Sequence, residues 1–382
     1  MPLAIYILGF TIFAVGTTEL MVAGMIASLA AAFAVSVAEV GYLIAYYALG
    51  MTIGGPILTI CLLRLQIPHK QAVLGLLLGY VLFLLVATFS QTYAVMALAR
   101  VITGMTGAAC FGVSLAIAAQ MVAPEVRGRA ASVVLGGLML ANVFGVPIAT
   151  LIDQQWGWRM AFGCVAALVM VCMVVIVRTV PDLPAGHVSL STEVRSLRQR
   201  PLWAAYTTSA LIIGSAFATF SYIAPILTEL SGFSAAAIPV LLGVYGLANV
   251  VGNALVGRYA DRYALPIMLG GVLTLTLAML GFIWGAASPI WAVAMLIVIG
   301  LVGVPMNPAM VTRVMRVATP GPLVNTLHAS VINIGLAGGA FLGGLGISSG
   351  LGFSAPLWVG AALAALGFLS LLPYVRKPAR GW

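Results

Sequence analysis

Apolar residues gather along this chain into runs of twenty or so, separated by charges or by Gly/Pro/Ser clusters. A run of about 20 apolar residues is the length of helix that crosses a bilayer. Cut at those breaks, the pattern predicts six spans near 4–26, 40–62, 70–89, 93–121, 129–151 and 159–178. Six more follow near 202–225, 237–258, 264–286, 289–311, 322–346 and 354–375. Two of the cuts rest on turn chemistry alone. No charge lies between Arg262 and Arg313, so that run is divided at Gly285–Pro289, and the last division uses the Gly/Ser cluster at Gly346–Gly352. Between the two sets of six lies the only long polar stretch, Thr179–Pro201, with Pro181, Asp182, Pro184, Glu193, Arg195, Arg198 and Arg200. The expected organisation is an all-α membrane protein: a six-helix bundle (1–178), a linker (179–201) with a short surface helix at Thr192–Gln199, and a second bundle (202–382) ending in a short basic tail.

Composition makes lipid the solvent for most of this surface. Hydrophobic residues are 63% and charged residues 7% of the chain, against about 25% charged in a soluble domain. The formal net charge of +9 points to topology rather than to nucleic acid, because the basic residues form short clusters between apolar runs with no interleaved aromatics. Loops after even-numbered spans hold Arg64 and Lys70, Arg127 and Arg129, Arg258 and Arg262, and Arg313 and Arg316. With Arg178, the linker arginines and the tail residues Arg376, Lys377 and Arg380, they account for 15 of the 17 basic residues. By the positive-inside rule these loops and both termini are expected to be cytoplasmic. The opposite loops hold Glu39, Asp153, Arg159 and Glu229. Met1–Phe10 lacks the positively charged flank of a cleavable signal peptide and is expected to open the first span. Cys61, Cys110, Cys164 and Cys172 lie in apolar runs without metal-ligand spacing, and are expected to be small buried hydrophobes.

The two sets of six carry traces of a repeat. Arg64 and Pro68 at the end of span 2 match Arg262 and Pro266 at the end of span 8, at a common offset of 198, and Gly54 pairs with Gly252 at the same offset. Transporters built from repeated halves place the substrate between them.

Several segments carry a family likeness. Gly252-Asn253-Ala254-Leu255-Val256-Gly257-Arg258-Tyr259-Ala260-Asp261-Arg262 resembles the loop motif of the major facilitator superfamily. Arg100-Val101-Ile102-Thr103-Gly104, with Gly107 beyond, is similar to the Arg-bearing motif of span 4. Gly136-Gly137, then Asn142, Gly145, Val146 and Pro147, resembles the span 5 motif of antiporters, and Gly157-Trp158-Arg159 with Phe162 resembles the junction of spans 5 and 6. Thr17-Thr18-Glu19-Leu20 with Gly24 is similar to the start of sugar-efflux and chloramphenicol-resistance exporters. The likeness runs through the chain in order and points to the drug/proton antiporter branch. It departs from pattern at Leu63, where the family usually has Asp and the second half has Asp261.

Glu19 is the strongest candidate for chemistry. No other charged side chain occurs from residue 1 to residue 38, and an ionised carboxylate in hydrocarbon costs several kcal/mol. A carboxyl so placed can load and release a proton, as proton-coupled antiport requires; the alternative is a protonated Glu hydrogen-bonded to a neighbouring helix. Arg100 enters with span 4 to a depth of roughly 10 Å at 1.5 Å per residue, comparable with that of Glu19. It is expected either to promote proton release from that acid or to serve as a strut to backbone carbonyls of span 1. Gly257, Arg258, Asp261 and Arg262 form a candidate conformational latch through the macrodipole and an ion pair; the alternative is an exposed surface pair of well under 1 kcal/mol. Gly136, Gly145 and Pro147 are expected to let helices approach and to bend span 5. Substrate-cavity candidates are the aromatics Tyr46, Phe217, Phe220 and Tyr222, the amides Asn142, Asn249 and Asn333, and His328. His328 is a possible second proton site but is more simply a neutral, satisfied histidine.

The resulting expectation is two bundles around a cavity with alternating access, exporting a small, largely apolar compound such as a drug against one inward proton per cycle. Export of a sugar, nucleoside or other polar metabolite is the rival. The expected partners are the small-molecule solute, protons and the lipid bilayer, with no cofactor, no nucleic acid and a monomeric state in a bacterial inner membrane. No Gly-rich loop with a Lys-Ser/Thr ending supplies a nucleotide site, and a membrane enzyme would need more clustered titratable residues than Glu19, Arg100 and His328.

Overall fold

The computed structural model describes residues 1–123, 126–182, 199–317 and 322–375, and among these every regular element is helical. The helices are α1 (Leu3–Leu20), α2 (Ile26–Phe33), α3 (Val37–Arg64), α4 (His69–Thr88), α5 (Tyr93–Gln120), α6 (Arg127–Leu140), α7 (Val146–Trp156) and α8 (Trp158–Thr179). There follow α9 (Arg200–Phe220), α10 (Ile223–Glu229), α11 (Ile238–Gly285), α12 (Pro289–Val302), α13 (Asn307–Val317), α14 (Pro322–Gly346) and α15 (Ala355–Val375). Among the described residues, eleven apolar stretches are long enough to cross a membrane. The stretch Ala235–Gly285, with 51 residues, is two spans end to end. Its helix is broken at Tyr263 (φ −127°, ψ 31°), so the twelve predicted spans are all present. The expected break at Gly285–Pro289 is also there. The expected surface helix Thr192–Gln199 lies, but for Gln199, outside the described residues, as does the basic tail from residue 376.

The helices start and stop for local reasons. Ser36 and Glu39 form a reciprocal cap ahead of α3: the Ser36 N–H and Oγ each donate to Glu39 Oε2 at 2.8 Å, and the Glu39 N–H donates to Ser36 Oγ at 3.2 Å. Thr92 Oγ1 accepts from the Val95 N–H to open α5. Between α6 and α7 a π turn at Ala141–Gly145 precedes Pro147, widening the helix where the proline ring cannot fit a regular turn. Span 1 breaks after Leu20 into a 3₁₀ turn, Met21–Gly24, and span 7 breaks at Ser221–Tyr222 before α10.

The chain divides into two compact units, one of Met1–Val35 with Tyr46–Val188, the other of Ser36–Ala45 with Ser189–Trp382. In the first, α1 packs against α6 and α8, and α4 against α5 and α8. In the second, α9 packs against α14 and α15, and α11 against α12 and α15. The 198-residue offset reappears in the packing. A Cβ on Gly54 would collide with Met105 of α5, and one on Gly252 with the Leu301 carbonyl of α12. Gly104 faces the Tyr47 carbonyl, and Gly300 faces the carbonyl of Tyr245, which stands 198 residues after Tyr47. Small residues thus bring equivalent helix pairs into close approach in both units.

The cysteines divide unevenly. Cys110 and Cys172 are buried as expected, whereas Cys61 and Cys164 are exposed on helix exteriors. The correction has a simple cause: in a membrane protein the outer surface is apolar too, so an apolar run does not tell inside from outside.

Candidate functional site

Arg100 sits in the interior of the first unit, 1% exposed. Its guanidinium reaches the broken end of α1: Nη1 donates to the Thr18 carbonyl at 2.7 Å and Nη2 to the Glu19 carbonyl at 2.9 Å. The last carbonyls of a helix have no intrahelical donor, and a cation there is favoured by the macrodipole. The guanidinium carbon also lies 4.3 Å from the centroid of the Tyr47 ring, a desolvated cation–π contact worth about 2 kcal/mol. Sequence reasoning missed Tyr47; the signal available was the repeat offset linking it to Tyr245.

With its carbonyl held by Arg100, Glu19 keeps its carboxyl unused. The side chain is half-buried, and its oxygens accept no hydrogen bond and form no ion pair within 4 Å among the described residues. The charges of Glu19 and Arg100 are nevertheless close enough to interact. Arg100 thus ties α5 to the broken end of α1, beside the Glu19 side chain.

The second unit has diverged at this place. The position 198 residues after Glu19 is Phe217. Tyr245 carries no cation but stacks on Phe220, with ring centroids 4.9 Å apart, and Phe220 in turn meets Phe217 edge-on at 5.8 Å. Among the described residues, the pairing of Arg100 with Tyr47 and the end of α1 has no counterpart at the equivalent place in the second unit.

The remaining sequence candidates scatter. Tyr46 and Asn142 are half-buried in the first unit, and Asn142 spends its Nδ2 on the Leu138 carbonyl. Tyr222 is fully buried. Its hydroxyl donates to the Ala340 carbonyl at 2.9 Å, and its ring fills a socket where Gly41, Gly343 and Gly344 have no side chain. His328 pairs with Ser209 Oγ at 2.9 Å and stacks on Tyr206, with centroids 5.6 Å apart, a satisfied histidine. Asn249 bonds the Tyr245 carbonyl through Nδ2 while its Oδ1 is buried without a partner. Asn333 is buried.

In span 5 the close approach belongs to Gly137, not Gly136. A Cβ at Gly136 meets nothing within 4 Å, whereas one at Gly137 would strike the Gly9 carbonyl, and one at Gly145 would strike Thr17. In the loop motif, Gly257 has open space around it, and Arg258, Asp261 and Arg262 are exposed. The two arginines lie over the neighbouring rings of Tyr259 and Tyr263. The Asp261 carboxylate forms no ion pair among the described residues, and only its backbone carbonyl is engaged, by Arg316. Asp153, read as a loop acid, lies instead on α7, buried, and accepts from Ser28 Oγ at 2.6 Å.

Residues 8–323 match the Major Facilitator Superfamily profile. The chain belongs to that superfamily. It is 31% identical over 367 residues to the inner membrane transport protein YdhP of Escherichia coli (strain K12), covering 96% of this chain and 94% of that protein. It is 29% identical to a chloramphenicol resistance protein of Streptomyces lividans, covering 98% and 96%. Among solved structures, a bacterial homologue of the human lysosomal transporter Spinster superposes with a TM-score of 0.77 at 14% identity, covering 98% of each chain. This major facilitator protein is accordingly a multi-pass membrane transporter.

Proposed function

We propose that this major facilitator protein is a proton-coupled exporter of small, largely apolar compounds, with Glu19 as the proton-carrying group. One observation carries the reading: Glu19 is an intramembrane acid with an uncommitted carboxyl, beside an arginine that donates from Nη1 and Nη2 to backbone carbonyls. An ionised carboxylate is costly away from water. A carboxyl that alternates between wet and dry surroundings as the transporter changes access state therefore binds a proton in one state and yields it in the other. Arg100 fixes the position of Glu19 and supplies the positive field into which the proton is released. The absence of an equivalent acid at Phe217 in the second unit supports one proton per cycle. The likeness to a chloramphenicol resistance protein supports a drug or antibiotic as the substrate. Cytoplasmic termini, a monomeric state, and alternating access by rocking of the two bundles complete the proposal.

The test is proton-driven uptake into inverted membrane vesicles across a panel of lipophilic antibiotics, sugars and nucleosides, comparing wild type with Glu19→Gln. Gln keeps the shape but cannot ionise, so uptake driven by a pH gradient is expected to be lost while counterflow exchange persists. Undiminished proton coupling in Glu19→Gln would move the proton role elsewhere, first to His328. Uptake confined to sugars or nucleosides would replace the apolar-substrate reading by the metabolite one.

A further inference from the structure

Span 2 is one continuous helix, α3, that serves both units. Its first part, within Ser36–Ala45, packs with the second unit, and the rest, from Tyr46, with the first. The change falls beside Tyr47, whose ring carries the Arg100 guanidinium. Six residues towards the N-terminus, about 9 Å along the helix at 1.5 Å per residue, Gly41 receives the Tyr222 ring, which a Cβ at that position would strike.

The chemistry of this contact favours parting. Tyr222 stands where span 7 is broken, between the end of α9 at Phe220 and the start of α10 at Ile223, with φ −121° and ψ 18°. Element-terminal residues of this kind absorb the backbone rotation of hinges. Its hydroxyl faces two carbonyls, that of Ala340 on α14 at 2.9 Å and that of Ala38 on α3 at 3.4 Å. A phenol has one O–H to donate, so the shorter bond ties Tyr222 to α14, and α3 is held the more weakly. The Ala38 carbonyl lies in the first turn of α3, where the helix ladder supplies its own donor, so parting from Tyr222 leaves no orphaned acceptor. The surfaces around the ring are smooth. Gly41 presents no side chain to it, and Gly343 and Gly344 of α14 back it. The neighbouring Tyr42 ring meets Phe341 of α14 at 5.1 Å between centroids.

We propose that Tyr222 is a positioning residue of the transport cycle: it is a latch that holds the outer end of span 2 on spans 7 and 11 and lets it go when the outer face opens. The inference rests on the topology and alternating access proposed above, and is independent of which group carries the proton. Because α3 also carries Tyr47, the latch and the Arg100 contact lie on one helix.

The test uses the purified full-length protein in detergent, with Cys61→Ser and Cys164→Ser; the other two cysteines are buried. Ala38→Cys, at a position 1% exposed, reports on the latch. Ala205→Cys, in the buried cluster with Val314 and Val324, reports on loosening elsewhere in the same unit. The readout is the rate of reaction of each thiol with a polar maleimide, without substrate or gradient. Tyr222→Phe removes the hydroxyl and keeps the ring. One net hydrogen bond is a factor of roughly two to ten in an equilibrium, so Ala38→Cys should react about two to ten times faster in Tyr222→Phe, and faster still in Tyr222→Ala. Ala205→Cys should keep its rate in both, and Glu19→Gln should change none of these ratios. An unchanged Ala38→Cys rate in Tyr222→Phe overturns the latch. So does an equal acceleration of both reporters, which makes Tyr222 an ordinary core residue. Should Tyr222→Ala not fold, Tyr222→Phe decides alone. In right-side-out vesicles a membrane-impermeant maleimide should reach Ala38→Cys from outside, and reaction from the inner side alone overturns the outer assignment.

Discussion

Adjacent glycines in span 5 allow one methyl group to be placed in two environments on the same helix. Gly136→Ala puts it where nothing lies within 4 Å; Gly137→Ala puts it inside 3.0 Å of the Gly9 carbonyl oxygen and 2.9 Å from the Phe13 nitrogen, where ordinary contact begins at 3.4 Å. Both obstacles are backbone atoms of α1, so no side chain can swing aside and the helices themselves must part. Each substitution gains about 1 kcal/mol of helix propensity from the removal of glycine, and that gain cancels in the comparison. What remains is the overpacking cost at Gly137, about 1–3 kcal/mol. In a unit of this size 1 kcal/mol moves the thermal midpoint by about 2–4 °C. Thermal unfolding of the two purified variants in the same detergent should place Gly137→Ala below Gly136→Ala by several degrees. Since Gly9 lies on the helix that carries Glu19, transport should fall as well. Equal midpoints would refute the assignment of the α1–α6 approach to Gly137.

Arg100→Lys keeps the charge but reaches one carbonyl instead of two, losing a charge-assisted hydrogen bond of about 1.5–3 kcal/mol; a midpoint and transport rate equal to wild type would exclude the forked contact. Ser36→Ala removes one half of the reciprocal cap and should cost about 0.5–2 kcal/mol, read as lower helix stability by calorimetry, while an unchanged midpoint would remove the cap from the account. Gly41→Ala forces a methyl into the socket of the Tyr222 ring. It should destabilise the wild-type background but much less so in Tyr222→Ala, so a double-mutant cycle with no coupling would deny the socket.

Much of the fold was legible because lipid imposes a strict length rule. Runs of about 20 apolar residues have few alternatives to spanning helices, and even the uncharged cut at Gly285–Pro289 fell where the helix ends. Glu19 and Arg100 could be singled out because a charge within such a run is conspicuous. Their division of labour could not. That Arg100 turns to two carbonyls depends on α1 breaking after Leu20, and a 3₁₀ turn of four ordinary residues leaves no mark in the sequence. Tyr222 and Phe217 were indistinguishable as aromatics, yet one is clasped by glycines distant in the chain and the other packs on Phe220.

What the amino-acid order determined by itself was the number of spans, the twofold repeat and the rare charges, all set by the cost of placing polar groups in hydrocarbon. The tertiary structure decided which side each helix turns inward. In lipid both faces of a helix are apolar, so no hydrophobic stripe announces the buried one, and only the contact between helices separates Gly137 from Gly136, Cys110 from Cys61, or the buried Arg313 from the exposed Arg316.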